Sequence, residues 1–579
     1  MSSYKIFRWG RRLQTVKKKI IMDTKNIIAA ISLSLAIIVI WSLFFQPSPE
    51  ELKNRKEKER IVKNNDAPNI DSTEKINNLS REEALKLTDR FYFENESIKG
   101  SISLKGATID DLIFKKYKTQ LDSNEFVTLL NPKSSSNGYY IESGWASNNK
   151  NIDLPNNKTI WKIKGNSRLT PNNNVTLIWE NKQKLTFEKV IKIDNQYLFT
   201  IEQKIKNNSE KIYNFYPYAQ IIRTKIPEII DFFILHEGPL GVLDDQLVEK
   251  DYKDIIDKKY SKNADNGFLG ITDKYWLTSI IPQKNKKFRA DFEYNEKFKV
   301  NYIETDSYES EPKTQISNLV NVVVAAKEVS VIDGYNESLG LEKFDLVIDW
   351  GWFYWIVKPL FFLNDYFFKL AGNYGIAIIL ITVCLRLVFF PLNNYAFKSM
   401  SKMKVLQPEM ARLKELHKDD KMKLQQAMMQ LYKKEGVNPV SGCLPILISI
   451  PFFFAIYKML FVTIEMRHQP FFGWIKDLSE KDPTSIFNLF GLIPWDPPSF
   501  MIIGALPVMM GFTMWLQQQL NPAPQDEIQK KIFMFFPLFL TIILAPFPSG
   551  LVLYWTANNV LTMAQQYVIM KRTTVKTVS

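Results

Sequence analysis

Cysteine is almost missing from this 579-residue chain: there are two, Cys384 and Cys443, and both lie inside apolar runs. No disulfide framework and no four-thiolate metal site can be built from them. Asp, Glu and His are missing altogether from five apolar runs in the carboxyl-terminal part: Tyr374–Pro391, Cys443–Val462, Phe500–Leu516, Ile532–Phe547 and Leu551–Met570. Proton relays and cation sites inside membranes generally use those side chains, so ion-coupled transport is disfavoured.

What is present divides the chain in two. Hydrophobic residues at 46% and charged residues at 23% match soluble averages, but the averages conceal unlike halves. Residues 46–348 are rich in Lys, Asn, Asp and Glu, whereas 349–570 hold long uncharged stretches of Phe, Ile, Leu and Met. That contrast excludes a disordered chain, a collagen and a purely soluble enzyme. The net charge of +14 fits nucleic acid, anionic lipid or the bias of cytoplasmic membrane loops, so its location decides.

Crossing a hydrocarbon core of ~30 Å takes about 20 apolar helical residues. Ile27–Phe45 is a first candidate, 19 residues without a charge, preceded by eight Lys or Arg and one Asp. This predicts an uncleaved anchor with a cytoplasmic amino terminus; no A-x-A site follows Phe45, and Met22 is a second candidate start. Alternation through the five later runs puts 392–442, 517–531 and 571–579 on the cytoplasmic side. Residues 392–442 carry ten Lys or Arg against five acids, and the tail carries Lys571, Arg572 and Lys576 with no acid. The positive charge is therefore largely topological, and no nucleic-acid partner is required.

Residues 46–88 read as a polar tether with Pro47, Pro49 and Pro68. Beyond them apolar residues recur with period two, as in Val175–Trp179, Leu185–Ile193, Tyr197–Ile205 and Val322–Ile332. Turn-forming clusters separate these runs, which predicts a β-sandwich of roughly 240 residues. Asp244, Asp245 and Glu249 are close in sequence, but Gly238, Pro239 and Gly241 around them indicate a solvated loop rather than a carboxylate pair for glycoside chemistry. Trp350, Trp352, Phe353, Tyr354, Trp355, Phe361, Phe362, Tyr366, Phe367 and Phe368, interrupted by Lys358, Pro359, Asp365 and Lys369, predict an amphipathic helix on the outer interface.

The five carboxyl-terminal runs contain two Lys or Arg residues, Arg386 and Lys458. Lys458 is four residues from the end of its run and is expected to snorkel outward. Arg386 lies ~7.5 Å inside the cytoplasmic end of its helix. An arginine at such depth without an acidic partner implies access to water or headgroups. Snorkelling to phosphates is one reading. The other is a hydrated pocket open to the cytoplasm, lined by Thr382 on the same helical face and by Gln518, Asn558 and Gln565. Between the first two of these runs, residues 392–442 read as a helical hairpin, broken at His417–Asp420 and ending before Gly436. Its methionines, Met400, Met403, Met410, Met422 and Met429 among them, suit either the hairpin's own core or contact with varied apolar segments.

The runs Asn373-Tyr-Gly-Ile, Thr382-Val-Cys-Leu-Arg386-Leu-Val-Phe-Phe-Pro391, Met403-Lys-Val-Leu-Gln-Pro408, Val437-Asn-Pro439-Val-Ser-Gly442-Cys-Leu-Pro445 and Phe547-Pro-Ser-Gly-Leu-Val-Leu-Tyr-Trp555 resemble the YidC membrane protein insertases. The resemblance implies an α-helical polytopic protein of the bacterial inner membrane with six membrane helices, five of them forming the insertase core, and an inserted periplasmic all-β supersandwich. It implies this partition: basic amino terminus 1–26, first membrane helix 27–45, linker 46–88, supersandwich 89–345, interfacial helix 346–371, and core 372–579 with a cytoplasmic hairpin at 392–441. It implies insertion and folding of nascent integral membrane proteins without an enzymatic step, cofactor or metal, alone or with the Sec translocon through SecD and SecF. The ribosome or the signal recognition pathway is a further expected partner, though the short, modestly basic tail argues against strong tail-mediated ribosome binding. The resemblance places a groove arginine at Arg386, a groove threonine at Thr382 and an aromatic at Trp555, where many relatives carry Tyr. A solute transporter and a membrane-anchored carbohydrate-active sandwich are the competing classes.

Overall fold

The computed structural model describes residues 79–228, 235–418, 420–438, 444–495, 497–498, 501–522 and 527–578. The expected anchor at 27–45, the basic segment before it and most of the expected tether lie outside the described residues. Residues 66–260 and 264–579 form one compact unit. Of the other unit, Met1–Asn65 with Ser261–Asn263, only the last three residues are among those described, within the strand Tyr260–Ala264.

Residues 90–326 build two β-sheets. One runs in spatial order Phe288–Asn295, Lys297–Glu304, Tyr213–Arg223, Tyr139–Ala146, Thr108–Lys118, Ile98–Ser103, Arg90–Glu94 and Arg168–Leu169. The other has nine strands: Gln246–Glu249, Gly238–Leu243, Gly267–Thr272, Trp276–Ile281, Gln315–Ala326, Leu198–Asn207, Leu185–Ile193, Val175–Glu180 and Lys162–Lys164. Alternation of apolar and polar residues sets the inner face, because successive strand side chains point to opposite sides. In Leu185–Ile193 the buried positions are Leu185, Phe187, Lys189, Ile191 and Ile193. Each apolar side chain so buried is worth about 1.5–3 kcal/mol relative to exposure. Lys189 departs from the pattern: its Nζ donates to the Ser143 carbonyl at 2.5 Å and sits over the Trp161 ring, and burial pushes its ammonium down to about 8.

Two expectations for this domain change. The period-two run expected over Val322–Ile332 is a strand only to Ala326; from Val329 to Ser338 the chain is helical. Val320 and Val322–Ala326 are all fully buried, and such an apolar run does not separate strand from helix by periodicity. Asp244 and Asp245 are the two central residues of the hairpin turn joining Gly238–Leu243 to Gln246–Glu249. Both have positive φ, 50° and 62°, which assigns them a turn role.

The helices are α1 (Arg81–Leu85), α2 (Tyr252–Asp257), α3 (Val329–Ser338), α4 (Tyr354–Ala371), α5 (Tyr374–Val388), α6 (Phe390–Val405), α7 (Gln407–Leu416), α8 (Lys421–Lys434), α9 (Leu444–Val462), α10 (Ala505–Leu520), α11 (Glu527–Leu544) and α12 (Ser549–Val578). Helix α1 lies inside the stretch expected to be tether, with Ser80 and Glu83 forming a capping box. Among the described residues no single helix is long and apolar enough to cross a membrane by itself. Helices α5 and α6 pass that test together, bent by 70°. The third expected run, Phe500–Leu516, becomes a helix only at Ala505 and continues to Leu520.

Helix α4 is the expected aromatic segment. It buries Ile356, Val357, Leu360, Phe361 and Asn364, and exposes Trp355, Phe362, Tyr366 and Leu370. Its Lys358 pairs with Asp333 of α3 at 2.9 Å and with Asp345 at 2.7 Å, so this charge ties α4 to the end of the β-domain. Helix α4 ends at Gly372 in the left-handed conformation, and Asn373 caps α5 by accepting from the Ile376 N–H. A second tie follows α9, where Glu465 Oε1 accepts the Val329 N–H at 2.7 Å and so caps α3 from outside. The Arg467 guanidinium stacks near Tyr275 and Trp276 and donates to the Thr119 carbonyl at 3.0 Å.

Candidate functional site

The site is assembled from α5 and α12, which meet although their facing residues are far apart in sequence. Close approach marks the start of α5: a Cβ on Gly375 would lie 2.1 Å from Phe471 Cδ2, so any side chain there would have to displace the Phe471 ring. The Pro548-Ser549-Gly550 turn pins the start of α12. There the Ser549 N–H and Oγ both donate to the Glu480 carbonyl, at 2.7 and 2.9 Å, and the Gly550 N–H donates to the Leu478 carbonyl at 2.9 Å.

Along α5, Ile378, Thr382 and Arg386 recur at four-residue spacing on one face. Thr382 is buried, and its hydroxyl donates to the Ile378 carbonyl at 2.7 Å, so the hydroxyl proton is spent on its own helix. Arg386 is partly buried. Its Nε donates to Asn558 Oδ1 at 3.1 Å, its Nη2 donates to the same oxygen, and Nη2 lies 3.5 Å from the Asn558 carbonyl. No carboxylate pairs with Arg386 among the described residues.

The other expected residues distribute unevenly. Asn558 meets Arg386 directly. Trp555, one turn earlier on α12, packs edge-on against Phe453 of α9, with ring centroids 4.8 Å apart. Gln518 lies partly buried on α10, and among the described residues no hydrogen bond joins it to Arg386 or Asn558. Lys458 does not snorkel outward; it pairs with Asp349 at 2.8 Å, because α9 ends against the segment leaving the β-domain.

Sequence reading missed the seam beside this pair. Asn559 Nδ2 donates to the Met510 carbonyl at 3.3 Å and to Thr513 Oγ1 at 3.2 Å, and Gln566 Nε2 donates to Asn521 Oδ1 at 2.9 Å. Both residues bind α12 to α10 and its carboxyl end. Gln565, on the same face as Asn558, keeps both amide atoms buried without a hydrogen-bond partner among the described residues. The signal was in the sequence: the doublets Asn558-Asn559 and Gln565-Gln566 are seven residues apart, so each doublet offers one amide to either side of the helix.

The expected hairpin is α6 and α7 against α8. The break expected at His417–Asp420 falls between α7 and α8, where Asp420 caps α8 through the Met422 and Lys423 N–H groups. The methionines divide between the two readings. Met410 is buried with the Tyr432 hydroxyl 4.0 Å from its sulfur, Met400 and Met403 are partly buried, and Met422 and Met429 are 69% and 61% exposed. Among the described residues no group of three or more His, Cys, Asp or Glu could hold a metal ion.

An all-β domain leading into an apolar helical core, with an arginine-centred polar site between two core helices, defines a two-part membrane protein. Residues 366–576 match the family described as 60Kd inner membrane protein, and residues 90–363 match the YidC periplasmic domain. The membrane protein insertase YidC of Pelagibacter ubique (strain HTCC1062) is 62% identical, covering 96% of this chain and 100% of that one. The corresponding protein of Nitrobacter hamburgensis (strain DSM 10229 / NCIMB 13809 / X14) is 43% identical, over 96% of each chain. A crystal structure of an active YidC insertase with its first transmembrane domain resolved aligns at 16% identity with a TM-score of 0.35, covering 82% of this chain and 91% of that one. The chain belongs to the YidC family of membrane protein insertases. It is an inner-membrane protein whose all-β domain is periplasmic, and the family is not one of enzymes.

Proposed function

We infer that this chain inserts and helps fold integral membrane proteins in the bacterial inner membrane by admitting their polar segments to a groove centred on Arg386. The observation that carries the reading is the pairing of Arg386 with a neutral amide. Asn558 takes two of the five guanidinium N–H groups on one oxygen, and no carboxylate among the described residues cancels the charge. Such a cation in an apolar helical setting attracts acidic side chains and terminal carboxylates. A hydrated groove that reaches only part-way across the bilayer lowers the cost of drawing in a polar segment, and burial of the apolar substrate helix drives completion. No hydrolysis is required.

Thr382, Gln518, Trp555 and Asn558 line this groove in the proposal, and the exposed Met422 and Met429 on α8 of the hairpin receive substrate from the cytoplasm. Six spans with both termini cytoplasmic are supported by the uncharged run 27–45 and by the basic content of residues 392–442. The partition at 26, 45, 88, 345 and 371 is proposed with them. Cooperation with the Sec translocon through SecD and SecF, and delivery by the ribosome or the signal recognition pathway, are proposed on family membership alone.

The test is insertion of a single-span substrate into vesicles containing only this protein and lipid. Insertion well above that of protein-free vesicles is expected. Equal yields with and without the protein would overturn the reading.

A further inference from the structure

We propose that Asn558 is a placeholder for the substrate's acidic group, occupying the guanidinium fork of Arg386 while the groove is empty and giving way when a carboxylate arrives. The proposal rests on the reading of Arg386 as an attractor of acidic segments, and it assigns the resting partner of that arginine.

Arg386 offers two N–H groups from one edge, Nε and Nη2, and Asn558 Oδ1 takes both. That edge is the one a carboxylate engages with its two oxygens in a paired, planar contact. A single amide oxygen can satisfy both donors but leaves the positive charge in place, whereas an aspartate here would neutralise it. Satisfying the fork matters because a partly buried guanidinium with unmade hydrogen bonds would be costly. Hydrogen bonds from a cation to a carboxylate are stronger than those to a neutral amide, so the exchange runs downhill once a carboxylate reaches the site. The hold on Asn558 is not confined to its side chain. Its carbonyl oxygen accepts from Thr562 Oγ1 at 2.5 Å and lies 3.5 Å from Arg386 Nη2. The backbone of α12 therefore stays anchored while the side chain moves away. Charge and geometry together make Asn558 a positioning residue that sets how strongly acid is preferred.

The experiment uses the full chain in vesicles and one single-span substrate whose translocated segment is made in acidic, neutral and basic versions. The readout is the acidic-to-basic ratio of insertion yields within each variant, which does not depend on protein abundance. The wild type is expected to favour the acidic version. Asn558→Ala, which removes the competitor, is expected to raise the ratio about fivefold, the net worth of one hydrogen bond that the carboxylate no longer has to displace. Asn558→Asp, which installs a permanent ion pair, is expected to bring the ratio down to that of Arg386→Ala. If Asn558→Asp does not accumulate, the direction of change in Asn558→Ala decides. A merely structural Asn558 predicts parallel losses for all three substrates in both variants, and that result, or an unchanged ratio in Asn558→Ala, would overturn the placeholder. A wild-type ratio without charge preference would overturn the attraction reading and the placeholder with it. A charge preference that vanishes in Arg386→Ala but ignores Asn558 leaves the attraction standing and removes only the placeholder.

Discussion

Lys458 Nζ lies 2.8 Å from Asp349 Oδ2, with 10% and 19% of the two side chains exposed. One partner sits near the end of α9 and the other in the segment that joins the periplasmic domain to α4. Asp349 also accepts the His236 N–H at 3.0 Å and the Gly351 N–H at 3.1 Å. The pair therefore fastens a core helix to the root of the β-domain. A Cβ on Gly351 would stand 3.2 Å from Lys458 Cε, so the backbone closes over the lysine stem.

Removing either partner leaves a poorly solvated charge. Lys458→Met is expected to lower stability by on the order of 3 kcal/mol, and Asp349→Ala by more, since two backbone N–H groups lose their acceptor as well. The double variant should be less damaged than the two single losses added together. Thermal unfolding in detergent, arranged as a double-mutant cycle, measures the coupling. Strictly additive losses would show that the contact is energetically idle.

Four of the ties between the β-domain and the helical core lie at Val329, Asp333, Asp345 and Asp349, while the contacts of Arg467 with Thr119, Tyr275 and Trp276 fall within 90–320. Deleting 90–320 keeps all four and should leave insertion of a short single-span substrate mostly intact. Extending the deletion to 349 should abolish it while the core still integrates into the membrane. Insertion yield normalised to membrane-integrated protein is the measurement, and equal activity of the two deletions would refute the division.

At Arg386 the expected order depends on substrate charge. Arg386→Lys should retain much activity, because a cation remains although the planar fork is lost. Arg386→Ala should impair acidic substrates most, and reversing the charge of the translocated segment should reduce the deficit. Equal losses for acidic, neutral and basic versions would reject electrostatic attraction even if the residue proved essential.

The hairpin methionines should separate by exposure. Met410→Ala removes a buried side chain and is expected to lower stability by about 2–5 kcal/mol, the usual range for such truncations in a core. Met422→Ser with Met429→Ser should leave stability unchanged and reduce cross-linking to a nascent chain, since both residues are exposed. Undiminished cross-linking would confine the methionines to packing.

Glu465 gives the junction a pH dependence. Burial pushes its carboxyl up from 4.5 to about 7. Between those two values the folded state holds a proton that the unfolded state has released, so stability falls as pH rises through this window. The penalty is absent below the lower value and fully present above the upper one. Glu465→Gln keeps an oxygen for the Val329 N–H and removes the titration. Its melting temperature should exceed the wild type's at pH 8 and converge with it near pH 5. Parallel curves for the two proteins would exclude Glu465 as the titrating group.

Local pattern carried much of the architecture. Leu185–Ile193 was legible as a strand to the residue, because burying one face of a sheet forces period two. The break at His417–Asp420 and the four-residue spacing of Thr382 and Arg386 were equally visible, since capping chemistry and helical pitch act within a few residues. What the sequence could not show was who meets whom. Asn558, one of the four residues expected around Arg386, is the one that meets it from 172 residues away, Asp349 faces Lys458 across the five helices α4 to α8, and Asn559 and Gln566 turn toward α10 while their neighbours turn away. Those choices arise when apolar helix faces pack and leave each polar group one reachable partner. The packing of the whole chain decides that, because a buried donor or acceptor must find a partner wherever the fold happens to bring one.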